Sequence, residues 1–382
     1  MPIRINSYSL KTFLRALPIT RRQELKELHK QKVILHRSEL DAYLMDALPV
    51  VLEHVIDNPY VGLVKDLDYL NSPDFIPVRA DWPKYERFLK FNNIHYSFYD
   101  VRSSQWMMDA MKYDVIIWHP YSSPVSREEA ENKLYVLQNL LHKKCYPTFE
   151  EMWGYENKIR SYYLNSFYGL PVLPTFLTNS KNEALDFVNK SEYPLISKIS
   201  TGSASNGVFK IANKKSGLKF VKACFSSRGR ATYWPYLRQK NYLYLQRFIN
   251  DAKYDLRIIV VGNKVFGYFR YAKKNDFRAS GSGILEKKEL PRDAMLLAIE
   301  AKRKYNTACL AVDLLYSERV KEYYIIETSI FFGIDTPEQL LVKGKPGYYE
   351  YKDGKFDFRE GRYWIQELVL KEYFDSFYLS RK

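Results

Sequence analysis

The sequence predicts a mixed α/β (α+β) protein, and three observations predict it. From about residue 60, short apolar runs alternate with helical patterns, as in a parallel sheet covered by helices. From residue 193, paired apolar runs flank tight polar turns, above all Gly262-Asn263 and Asp353-Gly354, as in antiparallel hairpins. At 382 residues and 46% apolar content, the chain has material for two or three domains with real cores.

Residues 1–58 read as a mostly helical, basic extension, with Leu40, Tyr43, Leu44, Leu48 and Val51 at three- and four-residue steps. A doubly wound unit follows over 59–145. Its strands are Tyr60–Val64, His95–Tyr99 and Val115–Trp118, and its helices are Trp82–Phe91 and Ser104–Met111. Ser126, before Glu128 and Glu129, predicts the N-cap of a helix reaching toward Lys144, with Leu134, Leu137 and Leu141 on one stripe; Pro147 stops it.

The next unit, 146–335, divides into a small subdomain (146–245) and a larger one (246–335). The small part holds a helix through Tyr168, a strand Val172–Leu177, a helix Glu183–Asn189 and a strand ending at Lys198. A polar loop, a strand from Val208 and a lysine-rich helix Gly217–Phe225 follow. The strand Tyr242–Ile249 crosses into the larger part, which continues with the Gly262-Asn263 hairpin, a helix opened by Pro291, and the strands Leu310–Leu315 and Tyr323–Glu327. Residues 336–382 add a hairpin and an amphipathic helix (Tyr363–Phe377), read as packing.

The totals exclude several classes. No run of 18 apolar residues exists and the N-terminus lacks a signal-peptide core, so a cytoplasmic protein without a membrane span is expected. Cys145, Cys224 and Cys309 have neither disulfide nor zinc spacing. The net charge of +15 points to an anionic partner, although no nucleic-acid motif accompanies it. Nine of the Lys/Arg lie in residues 1–38, against Glu24 and Glu27.

The stretch Tyr193 to Val208 carries the first chemical signal. Lys198 ends an apolar strand, and the loop Ser203, Ala204, Ser205, Asn206 and Gly207 is small enough for backbone N–H groups to cradle a polyphosphate. Asp313 stands inside an apolar strand and Glu327 ends the next. Two such carboxylates on adjacent strands fit a hard divalent ion held against phosphates.

In order and spacing, these segments resemble the ATP-grasp fold, in the branch of ligases related to the ribosomal-protein S6 glutamate ligase (RimK-like). Gln246-Arg247-Phe248-Ile249 resembles the adenine hinge Q-E-[FY]-I, Asp255-Leu256-Arg257 the D-I-R, and Val260 to Val265 the V-V-G-x-x-V hairpin. Asp276-Phe277-Arg278 is similar to the D-F-R, Val312-Asp313-Leu314-Leu315 to the V-D-[IL]-[LM], and Glu327-Thr328-Ser329 to the E-V-N. The likeness covers 143–335 well, and 59–145 more loosely as a Rossmann-like pre-ATP-grasp domain.

The resemblance implies roles. Lys158 and Lys198 contact ATP phosphates under the 203–207 loop, Gln246, Arg247 and Phe248 bind adenine through backbone, and Asp255 or Asp251 binds the ribose. Asp313, Glu327 and Ser329 ligate magnesium, with two ions implied; Arg257, Arg270 and Arg278 line the acyl-phosphate region. Two departures stand out: Ser329 replaces the family's Asn, and Arg247 its hinge Glu. The small S-P-G that usually follows is here Ile330-Phe331-Phe332-Gly333.

The expected activity is ATP-dependent ligation through an acyl phosphate, joining a small-molecule, peptide or glycan carboxylate to an amine. A homodimer is a common assembly for this fold. His119, at the end of a parallel strand, is a candidate substrate contact. Two other readings stay open: an ATP-grasp kinase, and a non-catalytic nucleotide-dependent polyanion binder.

Overall fold

The computed structural model describes residues 34–53, 57–65, 74–202, 207–234 and 236–378. The basic stretch 1–33 and the loop residues Ser203, Ala204, Ser205 and Asn206 lie outside them. The first element is a strand, β1 (Ile34–His36), followed by α1 (Arg37–Leu44). The long helix expected over 1–58 is therefore corrected within the described residues. Pro49 disfavours helix at the residue before it, and Leu48 and Val51, counted on the apolar stripe, are exposed. Leu40 and Leu44 are buried as expected.

The parallel unit comprises β2 (Val61–Leu63), β3 (Phe75–Pro77), α2 (Trp82–Phe91), β4 (Tyr96–Phe98), α3 (Trp106–Ala110), β5 (Val115–Ile117), α4 (Pro124–Tyr135) and β6 (Lys144–Tyr146). Strands β4, β2, β5 and β6 pair in that order, all parallel, while β3 pairs with β1. Gly62 is required in β2, because a Cβ there would meet the Tyr113 ring at 2.8 Å.

Helix α4 begins earlier than the sequence predicts. Ser123, not Ser126, is the N-cap: its hydroxyl accepts the Ser126 N–H at 3.2 Å, and Pro124 occupies the first turn, where its missing N–H costs nothing. The helix then loosens into a π turn over Val136–Leu140. Lys144–Tyr146, read as the helix end, is instead the edge strand of the sheet, so the 145/146 boundary falls inside β6.

Helices α5 (Phe149–Gly154) and α6 (Lys158–Phe167) lead to a small antiparallel sheet. Its elements are β7 (Thr175–Thr178), α7 (Lys181–Lys190), β8 (Leu195–Lys198), β9 (Val208–Ile211), α8 (Lys214–Cys224) and the short hairpin β10 (Arg230–Ala231) and β11 (Arg238–Gln239), closing with β12 (Leu243–Arg247). The strand order is β7-β12-β8-β9. Ala184, Val188, Leu195, Ile211, Val221, Leu243 and Leu245 give this unit a core of its own.

The large sheet follows: β13 (Asp255–Val261), β14 (Lys264–Arg270), β15 (Leu285–Glu286), α9 (Arg292–Tyr305), β16 (Cys309–Ser317), β17 (Glu322–Ser329), β18 (Leu341–Val342), β19 (Lys345–Lys352) and β20 (Lys355–Glu360). Its order is β17-β16-β13-β14-β19-β18, with β15 on β14 and β20 on β19. The tail is thus more than packing, because β19 extends the sheet through β14. The last helix, α10 (Ile365–Glu372), is shorter than expected and runs into a π turn over Tyr373–Tyr378. The parallel sheet, the large sheet and α10 share one hydrophobic core. Pro291 caps α9 from the N-cap position rather than from within its first turn.

Candidate nucleotide and metal site

The candidate residues meet where the register of the large sheet brings charges onto one line. Asp255 stands opposite Arg270, Arg257 opposite Asp313, and Asp313 opposite Glu327. Arg257 grips Asp313 with two parallel hydrogen bonds, Nε to Oδ1 at 2.7 Å and Nη2 to Oδ2 at 2.8 Å. Arg270 bridges the pair, its Nη2 lying 2.6 Å from Asp255 Oδ1 and 2.7 Å from Asp313 Oδ2. Burial alone would favour the neutral acid at Asp313, but the two guanidiniums hold it well below the usual carboxylate range. Asp255 goes the other way. Burial and the nearby Asp313 charge push it up to about 6 despite Arg270.

A β-bulge between Asp313 and Leu314 completes the geometry. Asp313 faces Glu327 while Leu314 faces Ile325, so Ile326 is the extra residue on β17. Its carbonyl, freed from the ladder, accepts the Lys198 ammonium at 3.3 Å. Lys198 arrives from the other sheet, at the end of β8. Burial, and then the neighbouring Lys158 charge, lower its pKa to about 8. Lys158 Nζ donates to Glu327 Oε1 at 2.9 Å and to the Gly202 carbonyl at 2.6 Å. The start of α6 is pinned in place: Asn157 caps it, and the Lys158 N–H donates to the Ser200 carbonyl at 2.8 Å.

Gly207, the described end of the polar loop, has φ +87°, and a Cβ there would lie 2.3 Å from the Ile199 side chain. Only glycine fits. At the hinge, Gln246 is buried and its Nε2 donates to Thr175 Oγ1 at 2.9 Å and Tyr244 Oη at 3.1 Å. The Arg247 side chain is exposed, and its N–H donates to the Pro174 carbonyl. Phe248 lies under Lys210 Nζ at 4.1 Å and edge-on to Phe277.

Other candidates have different partners. Arg278 pairs with Asp276 at 2.9 Å on the largely exposed 273–284 segment, whose Phe277 ring meets the hinge residue Phe248. Asp251 Oδ2 accepts from the Ser317 hydroxyl and the Arg319 N–H, holding the β16–β17 turn. The Ser329 hydroxyl donates to the Phe331 carbonyl at 2.6 Å and lies 3.3 Å from the Phe331 N–H, which ties it into a local turn. The Nδ1 edge of His119 meets Asp81 Oδ2, and its ring stacks on Phe331 at 3.9 Å.

Sequence reasoning missed Glu156. It sits in the left-handed region (φ 50°), its Oε2 is buried without a hydrogen-bond partner among the described residues, and burial followed by repulsion from Glu327 raises its pKa. Its place two residues before Lys158 was the available signal. A cavity of about 350 Å³ lined by Tyr155, Tyr168, Tyr305, Thr307 and Thr328 shares only Ser329 with the candidates above. Among the described residues no cluster of three acids, histidines or cysteines forms a ready metal cage, and no helix is long and apolar enough to cross a membrane.

Comparison with known proteins finds relatives for part of this chain. Residues 155–339 match the RimK-like ATP-grasp domain. The alpha-aminoadipate–LysW ligase LysX of Saccharolobus solfataricus is 24% identical over 211 residues, which is 54% of this chain and 73% of that protein. The D-alanine–D-alanine ligase of Bacillus anthracis superposes with a TM-score of 0.51 at 14% identity, covering 72% of this chain and 87% of its own. The D-cycloserine synthetase DcsG does so with a TM-score of 0.51 at 14% identity, over 71% and 91%. The chain carries, over residues 155–339, a RimK-like ATP-grasp domain.

Proposed function

We propose that the chain is an ATP-dependent carboxylate–amine ligase. The observation that carries this reading is the convergence of two buried lysines beside the facing carboxylates Asp313 and Glu327: Lys158 donates to Glu327 and Lys198 to the adjoining Ile326 carbonyl. Each carboxylate is now neutralised by protein cations. An incoming triphosphate competes for Lys158 and frees Glu327, while Asp313 stays held by Arg257 and Arg270.

The donor set fits magnesium, which commonly takes one or two carboxylates plus substrate phosphates rather than an all-protein cage. Asp313 and Glu327 would hold it, and when bound it supplies charge neutralisation at the β- and γ-phosphates. Ser329, engaged by Phe331, is a weaker ligand, which supports one firmly held ion. Lys158 and Lys198 bind the phosphates, and backbone at Gln246–Phe248 takes the adenine. Arg257 and Arg270, anchored by Asp313 and Asp255, are placed to stabilise charge on the transferring phosphoryl group. A substrate carboxylate attacks the γ-phosphorus, ADP leaves, and an amine then displaces phosphate from the acyl phosphate to give the amide.

The experiment is a screen of carboxylates and amines for ADP release, followed by hydroxylamine trapping. Hydroxamate formation supports the ligase. A phosphorylated product that survives hydroxylamine replaces it with a kinase, and native protein that binds nucleotide without turnover replaces it with a binding protein.

A further inference from the structure

The net charge of this chain is concentrated in two segments, residues 1–38 and residues 193–250. Residues 193–250 contain eleven Lys/Arg and no Asp or Glu, leaving 48 cations against 44 acids in the rest of the chain. That segment supplies most of the small four-stranded unit, β8 to β12 with α8. On α8, Lys215, Lys219 and Lys222 are exposed at helical spacing, opposite the buried Gly217, Val221 and Cys224. Lys214 joins them, and the neighbouring hairpin adds Arg228, Arg238 and Lys240, all exposed. None of these side chains forms an ion pair among the described residues. Acids bracket the segment rather than interrupt it: exposed Glu192 precedes it, Asp251, which follows it, accepts from the Ser317 hydroxyl and the Arg319 N–H, Glu183 accepts the Thr178 hydroxyl, and Asp186 pairs with Lys190.

The cations also lead toward the cleft. Lys210 on β9 reaches the hinge residue Phe248, and Arg247 is exposed at the end of β12. Aromatic faces lie among them: Tyr236 is exposed, and Phe209 sits at the surface beneath the Arg230 guanidinium at 3.8 Å. An uncompensated cationic surface of this kind attracts and aligns polyanions.

We propose that this face docks an anionic glycan bearing carboxylates, a polyuronate chain, and leads it toward the nucleotide cleft. The inference rests on the ligase reading. A polyuronate offers a carboxylate for activation at each sugar, whereas a nucleic acid offers none. The exposed Tyr236 ring among the cations suits the apolar face of a sugar ring better than it suits an acidic peptide.

The test measures binding of a fluorescent oligogalacturonate to the full chain as salt is raised, beside a neutral oligosaccharide, poly-L-glutamate and an oligouridylate. Two variants carry equal charge changes: Lys219→Glu/Lys222→Glu on α8, and Lys343→Glu/Lys352→Glu in the β18–β19 turn and at the end of β19. Oligogalacturonate is expected to bind most tightly, with affinity that falls as salt rises. The α8 variant loses at least about tenfold and the second variant keeps its affinity. Equal loss in both variants, or tighter binding of the oligouridylate or polyglutamate, overturns the proposal. MgATP binding is measured in parallel. Nucleotide binding without glycan binding sinks the surface alone, while glycan binding without nucleotide binding sinks the ligase reading alone.

Discussion

Asp313 and Glu327 face each other across the β16–β17 ladder, and each is neutralised from a different direction. Arg257 and Arg270 hold Asp313 from within its own sheet, while Lys158 reaches Glu327 from the start of α6. Asp313 is therefore part of the buried frame, whereas Glu327 is partly open to solvent.

That difference predicts unequal stability effects. Asp313→Ala leaves the Arg257 guanidinium without its partner and Arg270 with Asp255 alone, and losing one partner of a buried ion pair costs about 3–5 kcal/mol. Glu327→Gln, which keeps an amide oxygen to accept from the buried Lys158 ammonium at a partly open position, is expected to cost less than Asp313→Ala. Urea unfolding of both variants checks this, and equal losses would contradict it.

Lys198 predicts a pH dependence of nucleotide binding. Its folded-state pKa, lowered to about 8 by burial and Lys158, means that the free protein loses this charge as pH rises through 8. Bound phosphates favour the charged form, so binding takes up a proton there, and MgATP affinity falls from pH 7 to 9. Lys198→Arg, charged throughout, should lack that part of the fall. Identical profiles in calorimetry would remove Lys198 from the phosphate site.

Glu156 predicts a pH-dependent stability effect. Its folded pKa is raised above the ordinary 4.5, so the native state binds more protons than the unfolded state as pH rises past that value. Stability is then lost as pH rises toward the folded pKa. Glu156→Gln should flatten that part of the curve and stabilise the nucleotide-free protein at neutral pH. Thermal melts between pH 4 and 8 read the difference, and a destabilised variant at pH 7 would contradict it.

Local signals were legible where chemistry and turn type coincide. Gly262-Asn263 set a two-residue hairpin, and the Lys198-to-Gly207 strand–loop–strand and the carboxylates at 313 and 327 were readable from residue type and order. What the sequence hid depends on distant partners. Lys144–Tyr146 is three residues long and becomes a strand only because β5 lies beside it. The two arginines on Asp313 are set by cross-strand register, and Glu156 is isolated in a segment without periodicity. The Leu48 and Val51 pattern misled because Pro49 overrides periodicity.

The exposed Arg247 side chain predicts that the hinge tolerates change. Because the adenine contacts proposed for 246–248 run through backbone, Arg247→Glu should alter MgATP affinity by less than about threefold. A loss beyond that would assign the side chain to the nucleotide.

The most direct test is calorimetric titration of the native chain with ATP, with and without magnesium, beside Lys198→Met and Glu327→Gln. The account predicts magnesium-dependent binding by the native protein, at least about tenfold weaker binding in Lys198→Met, and lost magnesium dependence in Glu327→Gln. Folded native protein that binds no ATP, or variants that bind it unchanged, would contradict the site.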